Sequence, residues 1–86
     1  MYERGEYREC TRNVHFAGPE GFAVLVSLCN YDFTTLDVWL YKRDLPFRKR
    51  YLYSVSLSLG FREAAARVFS DFPYYKRLWE GEEEEC

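Results

Sequence analysis

The feature that most constrains this chain is a change of hydrophobic period at Gly60. From Arg50 to Leu59 the residues alternate, with Tyr51, Tyr53, Val55, Leu57 and Leu59 on one side and Leu52, Ser54, Ser56 and Ser58 on the other. A period of two is a strand with one buried and one more polar face. From Phe61 onward the apolar residues recur at Phe61, Ala64, Ala65, Val68, Phe69 and Phe72. That spacing is an amphipathic helix, whose apolar stripe needs a sheet to cover it. Gly60 suits the helix start as a weak N-cap, and the two alanines let the helix lie close on the strands.

Upstream, Arg12–Phe16 alternates with Val14 and Phe16 on one face, predicting a first strand that reaches back to Tyr7. Ala17 to Gly21 is turn chemistry, because Gly supplies positive φ and Pro fixes φ without donating a hydrogen bond. Phe22–Cys29 is an almost unbroken apolar run, which reads as a central strand. Asn30–Thr35 connects it to a third strand, Leu36–Tyr41, with Leu36, Val38 and Leu40 on one face and Asp37, Trp39 and Tyr41 on the other. Lys42–Lys49, which contains Pro46, reads as a charged hairpin loop before the strand at Arg50. Pro73 predicts a kink in the helix, or a break with Asp71 capping a second short one. Tyr75, Leu78 and Trp79 continue the stripe.

The order ββββα, connected locally throughout, gives the expected fold class. It is α+β, a four-stranded antiparallel meander sheet with a kinked C-terminal helix packed on one face. One domain is expected over residues 1–86: sheet over 7–59, helix over 60–79 with its kink near 73, and an acidic tail over 80–86. The expected core is Val14, Phe16, Val24, Val26, Leu28, Val55, Leu57, Phe61, Ala65, Val68 and Phe72.

Aromatic residues make up 20% of the chain, more than one small core can hide, since each ring can bury roughly 150–250 Å². Some therefore belong at the surface, where Tyr and Trp tend to mark contacts, or at the rim of a shallow sheet core. No apolar stretch approaches the roughly 20 residues of a membrane span, and the N-terminus lacks an apolar signal core. The reading is a cytoplasmic protein without membrane contact.

Chemistry of the catalytic kind is thinly provided. Cys10, Cys29 and Cys86 are an odd number without metal-ligand spacing, which argues against a disulfide framework and a zinc site. The single histidine, His15, differs from Cys10 by an odd number of positions, so on one regular strand the two point to opposite faces. Asp32, Asp37 and Asp44 have no second group to complete a hydrolase constellation. The expectation is no enzyme, no catalytic residues, no metal and no cofactor.

The strongest functional signal is charge placement. Lys42, Arg43, Arg48, Lys49 and Arg50 set five cations against Asp44 within nine residues, whereas Glu80 and Glu82–Glu85 make the last seven residues strongly acidic. The net charge of −2 hides this bipolarity. A like-charge cluster on a small domain wants a partner or an opposite pole. Phe47, Trp39, Tyr41, Tyr51 and Tyr53 surround the cations, and Tyr74 and Trp79 sit with Lys76 and Arg77 at the end of the helix. Aromatics with arginine are the residue types that dominate interface energetics. The candidate binding residues are thus Lys42, Arg43, Phe47, Arg48, Lys49, Arg50, Trp39, Tyr41, Tyr74 and Trp79. The bland alternative is a charged edge hairpin that blocks sheet-to-sheet aggregation.

The ββββα order, with Ser56-Leu57-Ser58-Leu59 running into the helix, resembles the fold of the single-stranded-DNA-binding transcriptional coactivators, which act as dimers. The resemblance is one of topology over 12–79. That family's glycine-lysine-glycine signature is absent before the junction, and no functional residue is carried across.

The expected function is a non-enzymatic binding protein acting on another protein or a nucleoprotein assembly. Small accessory subunits and virus- or phage-encoded inhibitors have this character. The alternative is a single-stranded DNA- or RNA-binding module that uses the basic aromatic hairpin 39–53, with Lys and Arg for phosphates and rings for bases. A homodimer, in which one copy's basic loop meets another's acidic tail, is a further expectation.

Overall fold

The structure, a computed structural model, describes residues 12–28 and 34–81. The three cysteines, Asp32, the expected first-strand extension to Tyr7 and Glu82–Glu85 lie outside the described residues.

Four strands, β1 (Arg12–Ala17), β2 (Phe22–Leu28), β3 (Thr35–Lys42) and β4 (Leu45–Ser56), form one sheet in the order β1-β2-β3-β4. All three pairings are antiparallel. Two helices follow, α1 (Phe61–Ser70) and α2 (Phe72–Glu80). The expected α+β meander is therefore present, with the helical cover on one face. Phe22, Val24 and Val26 of β2 and Leu36, Val38 and Leu40 of β3 form the buried centre, closed by Ala64, Ala65, Val68, Phe72 and Trp79. Ala64 and Ala65 are fully buried, as a helix that sits close on strands requires.

Several boundaries differ from expectation. β4 begins at Leu45, not Arg50, and ends at Ser56. The loop between β3 and β4 shrinks to the two residues Arg43 and Asp44, with Lys42 paired to Leu45. The Arg43 backbone N–H is held by Gly21 O at 2.9 Å, which ties this turn to the first one. Local composition pointed to a loop, but pairing with β3 at Leu45 and Arg50 makes the basic segment part of the strand.

Leu57–Leu59 is a 3-10 turn and not strand, entered by Ser56, whose hydroxyl accepts the Ser58 N–H at 3.2 Å. Serine hydroxyls that bond nearby backbone compete with a ladder, and here they win. Gly60 then starts α1 at φ 93°, a left-handed value that a Cβ would resist, and its carbonyl accepts Ala64 N at 3.1 Å.

The C-terminal helix is broken rather than kinked near 73, the second of the two arrangements expected, with Asp71 in the N-cap position of α2. Asp71 leaves the helical region at φ −135° and ψ 46°, and its side chain makes no capping bond, contrary to the capping role expected for it. Pro73 falls in the first turn of α2, where its missing donor costs nothing because those N–H groups have no helical acceptor. Of the expected core, Val24, Val26, Ala65, Val68 and Phe72 are buried, whereas Val14, Phe16, Leu28, Val55, Leu57 and Phe61 are only partly covered. Edge strands and helix starts have neighbours on fewer sides, so their apolar residues form the rim.

Candidate interaction surface

Irregularities in β4 shape its outer surface. Val38 pairs with Tyr53 but the next residue, Trp39, pairs with Tyr51, so Leu52 is an extra residue. A one-residue bulge flips the faces beyond it. Tyr53 and Val55 therefore pack against the core, while Tyr51 joins Trp39 on the opposite face, not the shared face expected from alternation. Further out, Leu40 pairs with Arg50 and Lys42 with Leu45. Pro46–Lys49 thus bows out opposite Tyr41 alone. Proline is at home at such a place, since its ring supplies no ladder donor.

The bow is pinned to the end of α2. Arg48 Nη2 donates to Trp79 O at 3.0 Å, and Trp79 Nε1 donates to Arg48 O at 3.2 Å. The Arg48 guanidinium lies 3.9 Å from the indole centroid. Trp79 O is one of the last carbonyls of the helix, which lack helical donors and attract cations. The indole is itself 7% exposed and meets Phe22 edge-on at 5.2 Å. Trp79, a candidate surface residue by sequence, is therefore core that fixes the hairpin from behind.

Two of the other cations also lie over rings. Lys42 Nζ is 5.7 Å from the Phe22 centroid and Lys49 Nζ is 5.1 Å from that of Tyr41. The Lys49 ammonium also donates to Pro46 O within the bow. Lys42 and Arg50 are half-buried opposite Phe22 and Leu40, on the helix-covered side, whereas Arg43 is exposed in the turn. The whole stretch Arg43–Lys49 is exposed, charged side chains included, and its large apolar members stand out. Phe47 is 77% exposed and Leu45 37%, with Pro46 between them and Arg43 and Lys49 beside them.

The face of the sheet opposite the helices carries a second group of rings. Register places His15, Leu25, Trp39 and Tyr51 in one row across the four strands. Trp39 and Tyr51 meet edge-on at 5.3 Å. Tyr41, in the next row, is 8% exposed and shares a 2.8 Å hydrogen bond with His15 Nδ1. Asp37 accepts from the Ser54 hydroxyl at 2.7 Å, and Ser54 is bonded in turn to the Tyr51 hydroxyl. Tyr74 belongs to neither group. It stacks edge-on with Tyr75 at 5.0 Å, and Tyr75 tilts against Tyr53 at 5.9 Å. Burial, with the neighbouring Tyr75 hydroxyl second, pushes the Tyr53 phenol up to about 12, and its hydroxyl donates to Ala64 O at 2.6 Å.

Of the sequence candidates, the fold gathers Lys42, Arg43, Phe47, Arg48, Lys49 and Arg50 around one hairpin with Trp79 beneath, and it sets Trp39 and Tyr41 on the opposite face. Leu45 and the true side of Tyr51 escaped sequence reasoning. For Leu45 the available signal was Pro46, as a proline within a β-patterned stretch implies a bulge.

Among the described residues no cluster of three or more His, Cys, Asp or Glu side chains could hold a metal ion, and no helix is long and apolar enough to cross a membrane. Compared with protein-family models, characterised proteins and solved structures, the chain matches none significantly.

Proposed function

We propose that the chain is a non-enzymatic binding protein of the cytoplasm, a small accessory subunit or inhibitor, that docks on another protein or nucleoprotein assembly through the bow of β4. The observation that carries this reading is Phe47, a large apolar side chain 77% exposed on a segment pinned at Arg48 by Trp79. An exposed ring on a loose loop loses entropy on docking. A ring on a pinned bow has lost much of it already, which favours binding. Leu45 and Pro46 extend the apolar patch, and Arg43 and Lys49 give it a cationic rim suited to an acidic border on the partner.

The test is photo-crosslinking with benzoylphenylalanine at position 47, and at exposed Arg62 as control, in nuclease-treated extract of the cells that make the protein. A protein adduct from position 47, absent from position 62, is expected. No adduct, or one that nuclease abolishes, ends the reading.

A single-stranded nucleic-acid module is the second reading, favoured by the Trp39–Tyr51 row on the face without helices. Rings there would stack bases. Its weakness is that Lys42, Arg48 and Arg50 turn toward the helix-covered side, leaving Lys49 as the hairpin cation near the rings. Anisotropy titration with oligo-dT and oligo-U at rising salt checks it. Binding that falls steeply with salt and is lost in Trp39→Ala plus Tyr51→Ala would favour it over the protein reading.

A further inference from the structure

The half of β4 nearer the helices differs from the bow and carries an inference of its own. Among the described residues β4 is the outer strand on its side of the sheet. Exposed edges recruit other strands unless proline, lysine, arginine or a bulge blunts them. The bow has all of these. Tyr53–Ser56 has none, and it runs in unbroken register against Val38–Thr35.

Beside that stretch lies an open hollow of about 320 Å³ lined by Tyr53, Ser54, Val55, Arg67 and Tyr75. Tyr53 and Val55 face the core, whereas the Ser54 hydroxyl is on the other face, bonded to Asp37. Three successive residues of the outer strand and two from the helices border this hollow, so it lies where β4 meets the helical layer. Its inner wall is fixed, because Tyr53 is tied to Ala64 O at 2.6 Å and packs against Tyr75. Its far wall holds Arg67, exposed on α1 and without an ion-pair partner among the described residues.

The geometry points to Tyr53–Ser56 as a strand-addition site for an extended acidic peptide. The peptide backbone pairs with the β4 edge, and one of its carboxylates reaches the Arg67 guanidinium beside Tyr53 and Tyr75. Backbone pairing supplies affinity that any extended segment can use, and the side-chain hollow supplies selectivity. Arg67 is the charged side chain in the lining, with Glu63 and Asp71 near the same rings but outside it, and a guanidinium takes a carboxylate with charge-assisted bonds. A second copy of this strand is the poorer occupant. Its Tyr-Ser-Val-Ser stretch brings no carboxylate and would bring a second Arg67 to the same seam.

This site is independent of the Phe47 surface. The probe is a fluorescein-labelled, capped Thr-Val-Thr-Glu-Thr-Val-Thr peptide, read by anisotropy and by amide NMR shifts of the full chain. Its lysine counterpart and an alternately N-methylated form serve as comparisons. Saturable shifts at Tyr53–Ser56 are expected, with the glutamate peptide binding about tenfold or more tighter than the lysine one. Arg67→Glu should reverse that order, N-methylation should abolish binding, and Phe47→Ser should leave it unchanged. The proposal is overturned if those amides do not move, if both peptides bind alike, or if the amides are protected by concentration-dependent self-association without peptide.

Discussion

The two halves of β4 are built from different residues and solve opposite problems. The half from Tyr53 to Ser56 is regular, packs against the core through Tyr53 and Val55, and has no strand on its outer side among the described residues. The half from Leu45 to Arg50 is bowed, cationic and pinned by a tryptophan from the last turn of α2. One half is fixed by the ladder it keeps. The other has partly abandoned its ladder and is fixed by side chains. Order in an extended segment can thus come from either source, and the source decides what the surface offers: backbone groups in the first case, Phe47 in the second.

The largest break in this comparison should come from Trp79→Ala. It removes a buried indole, its N–H bond to Arg48 O and the cation–π contact with Arg48, so a loss of about 3–5 kcal/mol is expected in urea denaturation. Amide exchange at Phe47–Arg50 should accelerate beyond what the global loss explains. Arg48→Ala should cost about 1–2 kcal/mol, from one charged hydrogen bond and one cation–π contact, and should loosen the bow alone.

Tyr53→Phe probes the regular half and should cost about 1 kcal/mol at neutral pH through the lost bond to Ala64 O. Its pH dependence has a definite sign. Burial favours the neutral phenol, so the folded chain holds that proton more tightly than the unfolded chain, whose tyrosines titrate near pH 10. The contribution is complete below about pH 10 and disappears as pH rises to about 12, where folded Tyr53 ionises. Burial also raises Tyr75, which adds in the same direction. Denaturant midpoints across that window should fall in the wild type and fall less in Tyr53→Phe.

The smallest effect on stability should be that of Phe47→Ser, within about 0.5 kcal/mol, because the ring touches little of its own fold. Capture of the partner from nuclease-treated extract by the tagged chain should nevertheless be lost, which separates a binding role from a structural one.

Much of the sheet could be read from alternation: Leu36, Val38 and Leu40 do share the core face, and Phe22–Leu28 is a central strand. Tyr51 could not be placed. Its spacing from Tyr53 is that of neighbours on one face, and no residue type at Leu52 announces a bulge. The basic segment was legible as a hairpin but not as strand, because the contacts that pin it, between Arg48 and Trp79, span distant parts of the chain. Trp79 was misplaced for a similar reason. Its stripe position allowed either burial or exposure, and Arg48 with Phe22 decided it.

Sequence alone determined the element order, the switch from sheet to helix at Gly60 and the clustering of cations in one hairpin, since these follow from periods and charges along the chain. The tertiary structure decided which way the rings face, where the helix breaks and which hairpin residues remain outside. Those outcomes depend on register and on contacts between residues far apart in the chain, and a single shift of one residue at Leu52 moves Tyr51 from one side of the sheet to the other.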